Sequence, residues 1–525
     1  MTVDFKSEYL DEPDLVFGQS KEDKDPRLGM KYHGPYHYAN QSEPTPSEVR
    51  VGIIGNSVTL TLTRDVIKWL ASSIPSREVN KWLYPDYPGF NRNSRARCEF
   101  LTSPSWEYTV RETDIDAVVR ISDSNKRIAA GVNLFVDGFR SIVTQDDKPT
   151  VVICNLPLLL EEYCGNSDKT RGAKRLKFTH EEKEHAQFLA QGQTFLREWG
   201  IDLSAREGPE SLPMSSKNRS DDSDIDLDFH NALKGKLMAF KDDIPVQLLL
   251  ESTARGFIAY GEPLVKRVQD PSVVAWNLST ALYYKSSGKP WRLAKLDDET
   301  CYVGISFFYN LLSPNRDIQT SMAQVFTHSG EGFVLRGEDV TVDRETKEFH
   351  MTQRQANALI EKALITYVDA ARRQPTKVTI HKTTLFSEAE VAGIKDATRT
   401  LGRDLVTITR DHDIRFARDG KYPVLRGTAV YLDNNRCLLY TTGYIPRVRT
   451  YPGPGVPRPL IVTHNGDSEL STICKDLMGL TKLNWNTTHF ASYLPITLEF
   501  SEKVGRVLSE LPKGQPMKNH YRFYM

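Results

Sequence analysis

Apolar residues gather in short β-branched and aromatic runs, separated by longer stretches in which they recur every third or fourth position. VRVGIIG (49–55) and PTVVICNLP (149–157) are mostly apolar runs closed by Gly or Pro, the pattern of strands buried on both faces of a parallel sheet. The amphipathic DVIKWLASSI follows the first run, so an α/β unit with a parallel sheet is expected. The second half opens on YVGISFFY (302–309), a buried strand interrupted by one small hydroxyl, Ser306. EGFVLRG, the helix TQRQANALIEKALITYVDAARR, and then KVTIHKTTLF, DLVTITRD, TAVYLD and RCLLYTTG follow, ending in the Pro/Gly-rich loop YPGPGVPRP. This order predicts a mixed sheet with helices on its faces.

Composition narrows the function classes. With 525 residues at 39% hydrophobic, the chain can bury a large core and is expected to contain more than one domain. Lys+Arg and Asp+Glu balance at 68 each, which excludes the basic excess of a non-specific nucleic-acid coat; any polyanion site must be local. The acidic start MTVDFKSEYLDEPDL lacks a signal-peptide core and no later apolar run approaches a membrane span, so a cytoplasmic location without a membrane partner is expected. Cys98, Cys154, Cys164, Cys301, Cys437 and Cys474 form no C-x-x-C pair and read as buried thiols.

Residues 1–48, rich in Pro, Gly, Asp and Tyr, suit an extended arm packed on the surface. Between about 164 and 229 the composition shifts to that of an insertion. It carries a basic cluster (Lys169, Arg171, Lys174, Arg175, Lys177), a helix with Phe188, Phe195 and Trp199 on one face, and the run SDDSDIDLD. The GIIG turn invites a nucleotide-binding α/β enzyme as an alternative, but the G-x-G-x-x-G spacing and a well-placed ribose acid are missing.

Local chemistry concentrates next to that insertion. His230 and Lys234 stand four apart, so a helix puts them on one face, with Leu233, Leu237 and Phe240 forming a neighbouring apolar stripe. Gln247 opens an apolar stretch after Pro245, and Lys285 ends the helix WNLSTALYYK. Two lysines, a glutamine and a protonated histidine converging on one pocket would present the donors that a terminal phosphate requires.

The order of short motifs adds a family. EPDLVFG, DPRLGMKYHGPY, FHNALKGKLMAF with IPVQLLLEST, WNLSTALYYKSSGKPWRL, YVGISFFY, KVTIHKTTLF and LTKLNWNTTHFASYLPITLEFSEKVG follow one another as in short prokaryotic Argonautes, and the chain resembles that class. The resemblance implies an α/β fold with a Rossmann-like MID domain at 49–290 and a ribonuclease-H-like PIWI domain at 291–525. It carries guide 5′-phosphate binding onto His230, Lys234, Gln247 and Lys285, with His230 standing where many relatives have an aromatic hydroxyl. It also implies Mg²⁺ at the guide 5′ end, held through phosphate oxygens and the C-terminal carboxylate of Met525.

Slicing relatives carry G-I-D where this chain has Ser306, and a second aspartate in a turn where it has Lys382, Thr383 and Thr384. Two-metal hydrolysis needs several anionic oxygens, so the site is expected to be inactive even if Glu502 lies near a final ligand position. The alternative of a self-sufficient guided nuclease is disfavoured on that ground. The resemblance then implies a guide RNA, a single-stranded DNA target, and a separate APAZ-containing effector as heterodimeric partner, with higher oligomers on activation left open. The effector would be an NAD-consuming TIR domain first, a sirtuin-like domain or DNase otherwise, serving abortive-infection antiviral defence.

Overall fold

The computed structural model describes residues 5–36, 45–165, 227–259, 269–297, 299–309, 318–327, 330–341, 349–453, 455–511 and 515–525. The expected insertion falls almost wholly outside them, including its basic cluster, its aromatic helix and most of its acidic run.

Among the described residues, sixteen strands make three sheets. In the first half, β4 (Glu48–Gly55), β5 (Glu99–Thr109), β6 (Val151–Leu156) and β7 (Val246–Leu250) form a parallel sheet in the order β5-β4-β6-β7. Every residue of β6 is buried because helices cover both faces, which is why VVICNL shows no alternation. Edge strand β5 has a broken register with β4 and a half-exposed pattern.

The second half is built on a nine-stranded sheet. Its order is β1 (Lys6–Tyr9), β14 (Thr428–Tyr431), β15 (Arg436–Leu439), β16 (Leu460–Gly466), β13 (Gly402–Thr409), β12 (Lys377–Lys382), β9 (Thr300–Tyr309), β10 (Ile318–Phe326), β11 (Gly332–Thr341). The central β9, β12 and β13 are parallel and their flanks antiparallel. The helix Gln353–Ala371, started by a Thr352/Gln355 capping box, lays Leu359, Ile360, Ala363 and Tyr367 over Val303, Ile305, Val378 and Ile380.

The N-terminal stretch expected as a surface arm is woven into this half. β1 pairs with β14, while β2 (Leu15–Val16) pairs with β3 (Glu22–Asp23) and with β8 (Arg292–Leu293). Leu15 and Phe17 are fully buried. Arg426, itself buried, holds Glu12 through Nε and Nη2 at 2.9–3.1 Å, and Lys482 meets the same carboxylate at 2.8 Å. Burial alone would raise the Glu12 carboxyl, but these two cations bring it below its ordinary range.

One apolar cluster runs through both halves, joining Val51, Trp276 and Tyr283 to Tyr302, Phe308, Val504, Leu508 and Tyr524. Gly304 permits part of that packing: a Cβ there would lie 2.0 Å from the Thr497 carbonyl oxygen, so only glycine lets the segment 496–498 lie on β9. That contact sets the position of the following helix, Ser501–Ser509. All six cysteines are free and buried. Among the described residues, no helix is long and apolar enough to cross a membrane.

Candidate nucleic-acid interface

His230 and Lys234 lie on the helix Phe229–Leu237, started by the Asp228 carboxylate accepting from Asn231 N at 3.0 Å. Leu233 and Leu237 are buried on its inner face, and Phe240 packs against the same core from beyond the helix end. Lys234 is only 2% exposed. Its ammonium donates to the main-chain oxygens of Tyr524, at 3.0 Å, and Met525. The chain's last residues are therefore brought onto this helix, with Tyr521, Tyr524 and Met525 buried.

Lys285, the last residue of the helix Pro271–Lys285, is 1% exposed and donates to Gln247 Oε1 at 2.5 Å. Gln247, near the start of β7, donates in turn to the Leu248 carbonyl at 2.9 Å. Here Gln247 acts as an acceptor that aims the lysine, a role its sequence position did not convey.

Electrostatics tie these groups together. Burial pushes the Lys234 ammonium well below its ordinary range, and the charges of Lys285 and Lys503 push it further. Burial brings Lys285 down to about 7. His230 is held well below 6.5, first by Lys234 and then by burial, with smaller contributions from Lys285 and Lys503. At neutral pH without a ligand it is therefore uncharged, unlike the donor the sequence reading required. Lys503 is the cation that sequence reading missed. It sits exposed on the helix Ser501–Ser509, placed there by the Gly304–Thr497 contact.

Mutual repulsion among buried cations is costly unless an anion relieves it. The three lysines offer only donors, so taken alone they suit an anion and do not fit a divalent metal. Any ion there would need oxygens brought by a ligand, beside the main-chain oxygen of Met525.

Ser306 and Thr383, which the resemblance aligns with a nuclease site, are neighbours. Ile305 pairs with Lys382 in parallel register, so Ser306 and Thr383 stand side by side at the C-terminal ends of β9 and β12. Ser306 Oγ is buried without a hydrogen-bond partner, and Thr383 is exposed. The nearest charge pair is internally satisfied: Lys382 Nζ meets both Glu390 oxygens at 2.8 Å on the opposite face. His381, brought down to about 3 by burial and so neutral at pH 7, shares a 2.7 Å hydrogen bond with Thr497 Oγ1. Among the described residues, no group of three or more His, Cys, Asp or Glu could hold a metal ion. The Glu502 side chain lies outside the described atoms.

No protein-family model and no curated protein matches the sequence. Solved structures do. Clostridium butyricum Argonaute bound to a guide DNA and a 19-mer target DNA superposes with TM-score 0.60 at 14% identity, covering 98% of this chain and 54% of that one. The chain has the Argonaute fold. Drosophila Piwi matches with TM-score 0.55 at 13% identity over 99% of this chain and 56% of its own. Marinitoga piezophila Argonaute in complex with a 5′-OH guide RNA matches with TM-score 0.51 at 13% identity, covering 96% of this chain and 59% of that one. The chain thus spans a little over half the length of these proteins, and identities this low speak to the fold alone. The four-stranded parallel sheet and the nine-stranded mixed sheet are the α/β MID–PIWI architecture of the Argonaute fold.

A further feature had no sequence signal. A cavity of about 370 Å³ opens between distant segments of the Argonaute fold, lined in part by Arg27, Asp270, Thr441, Tyr451 and His489. Arg27 is buried there, donating to Thr488 Oγ1 at 2.9 Å and to the Leu83 carbonyl at 2.8 Å. Its walls come from positions hundreds of residues apart, so no local pattern marks them.

Proposed function

We propose that this chain binds a guide strand by its 5′-terminal phosphate and uses it to hold a complementary single strand, cutting neither. The observation that carries the reading is the buried pair Lys234 and Lys285, with Lys285 and Lys503 close enough to lower Lys234, and all three close enough to lower His230. A dianionic phosphate would relieve that repulsion and reprotonate the depressed groups. Because an Argonaute structure with a 5′-OH guide is among the matches, the fold does not dictate the terminal chemistry; the cations argue for phosphate here.

The non-cleaving part rests on Ser306 and Thr383, two neutral hydroxyl residues side by side where slicing relatives carry aspartates. A protein that recognises without cutting needs an output elsewhere. By resemblance, that output belongs to a separate APAZ-containing partner, with an NAD-consuming TIR domain first and a sirtuin-like domain or DNase as the other classes. An RNA guide, a single-stranded DNA target and a defence role come from the same resemblance. Magnesium at the guide 5′ end would depend on phosphate oxygens supplied by the strand, and no part of the binding argument runs through it.

The test compares affinity for strands that differ only in a 5′-phosphate or 5′-hydroxyl. Wild type should prefer the phosphate, and Lys234→Ala should lose most of that preference. Equal affinities in the wild type would reject the reading.

A further inference from the structure

Tyr422 and Tyr444 stack with ring centroids 4.2 Å apart and planes 18° from parallel, yet Tyr422 remains 38% exposed. The pair has a rigid base. Tyr444 N donates to the Val424 carbonyl at 2.9 Å, and its own carbonyl accepts from Arg426 N at 3.1 Å. Arg426 is anchored in turn by Glu12 and by Thr481 Oγ1 at 2.9 Å. Lys421 Nζ stands 5.8 Å from the Tyr422 centroid. Arg418, Lys421 and Arg458 are exposed, and Arg415 donates to the carbonyls of His412, at 3.4 Å, and Ile414, at 2.8 Å.

The topology decides where this cluster lies. The C-terminal ends of β9, β12 and β13 share one edge of the sheet. β16 begins at that edge, because Thr409 pairs with Ile461; β15 ends there, because Leu439 pairs with Leu460; and β14 begins there, because Ala429 pairs with Leu439. Tyr422 precedes β14 and Tyr444 follows β15, so the stacked pair emerges on the same edge as Ser306 and Thr383.

We infer that Tyr422, backed by Tyr444, is a stacking platform for an unpaired base of the bound strand, with Lys421 and the neighbouring arginines attracting its phosphates. The ring is held by a fixed partner yet remains exposed beside a cation, which leaves it open to a second stacking contact. Paired bases hide their faces inside a duplex, so the ring selects single-stranded nucleic acid. Arg415, Arg418, Lys421 and Arg458 outnumber the exposed Asp411, Asp413 and Asp419 of the same segments, which favours a polyanion over a protein surface. The inference rests on the proposed nucleic-acid function and adds a contact remote from the strand's 5′ end.

Fluorescence anisotropy with 5′-phosphorylated strands of about 4 and about 20 nucleotides tests it, using Tyr422→Ala, Tyr422→Phe, Lys421→Ala and Lys234→Ala. Tyr422→Ala should weaken the long strand about tenfold and leave the short one unchanged, while Tyr422→Phe keeps wild-type affinity. Lys421→Ala should lower the salt slope for the long strand by about one. Long-strand affinity unmoved by Tyr422→Ala, or an equal loss for both lengths, overturns the platform. Lys234→Ala separates the two claims. If it weakens both lengths while Tyr422→Ala does nothing, the phosphate site stands and the platform falls; if only Tyr422→Ala matters, the phosphate site falls and the platform stands.

Discussion

Lys285→Met probes the proposed phosphate site through its protons. Burial brings the Lys285 ammonium down to about 7, against roughly 10.4 for a free lysine. At pH 8 the strand-free protein therefore holds this group mostly neutral, and an arriving phosphate dianion must draw a proton back onto it. The complex then binds more protons than the free partners, so affinity for a 5′-phosphorylated strand falls as pH rises above about 7, approaching tenfold per pH unit for each group recharged. Below about 6 the phosphate gains its own second proton and affinity falls again, which puts the optimum between the two limits. Lys285→Met deletes a charge-assisted hydrogen bond worth about 1.5–3 kcal/mol, a loss of roughly one to two decades. Calorimetry at pH 8 in buffers of different ionisation enthalpy should count about one proton fewer taken up by the variant. Stability moves the other way. Between about 7 and about 10.4 the unfolded chain holds the proton that the fold gives up, so this lysine destabilises the strand-free protein progressively as pH falls through that window, and fully below it. Loss of the Gln247 contact offsets part of the gain, yet Lys285→Met should melt higher than wild type at pH 6 and nearly level with it at pH 10. An unchanged proton count and pH profile would refute the reasoning.

Three other predictions concern the sheet beneath the interface. Ser306→Asp combined with Thr383→Asp should leave a labelled target intact, because two carboxylates without the remaining ligands do not rebuild a two-metal site; a discrete product on a sequencing gel counts against this. Glu390→Leu strands the buried Lys382 ammonium and should cost about 3–5 kcal/mol in denaturant unfolding, most of it recovered by adding Lys382→Met; a double variant as weak as the single would contradict the pairing. Gly304→Ala drives a methyl into the Thr497 carbonyl and should cost about 1–3 kcal/mol, with a further loss of strand affinity as the helix bearing Lys503 shifts. Unchanged melting and binding would show that the contact does not position that helix.

The parts of the fold written in local pattern were legible. VRVGIIG and VVICNL are apolar at all but Arg50 and Asn155 because both faces of the small sheet are covered, and the His230–Lys234 spacing needed only a helix. Glu99–Thr109 was hidden, since an edge strand exposed on one side and carrying Pro104 offers neither alternation nor an apolar run. The N-terminal segment misled for a different reason. Its Pro and Asp content reads as surface, while its burial comes from pairing with β8 and β14, more than two hundred residues away. Lys503 was invisible for the same cause: it is one more lysine on an amphipathic helix until tertiary packing brings that helix towards Lys234. The neutral state of His230 was only partly legible: Lys234 stands four residues on along the same helix, but the burial and the cations Lys285 and Lys503 come from packing against two other elements.

The most direct test incubates the protein with a 5′-phosphorylated guide, a labelled complementary single strand and Mg²⁺, beside a second reaction with a 5′-hydroxyl guide, and reads complex and product on native and denaturing gels. The account predicts a ternary complex that forms far better with the phosphorylated guide, with the labelled strand recovered at full length. A complex indifferent to the 5′ group, or a strand cut at one position by this chain alone, would contradict it.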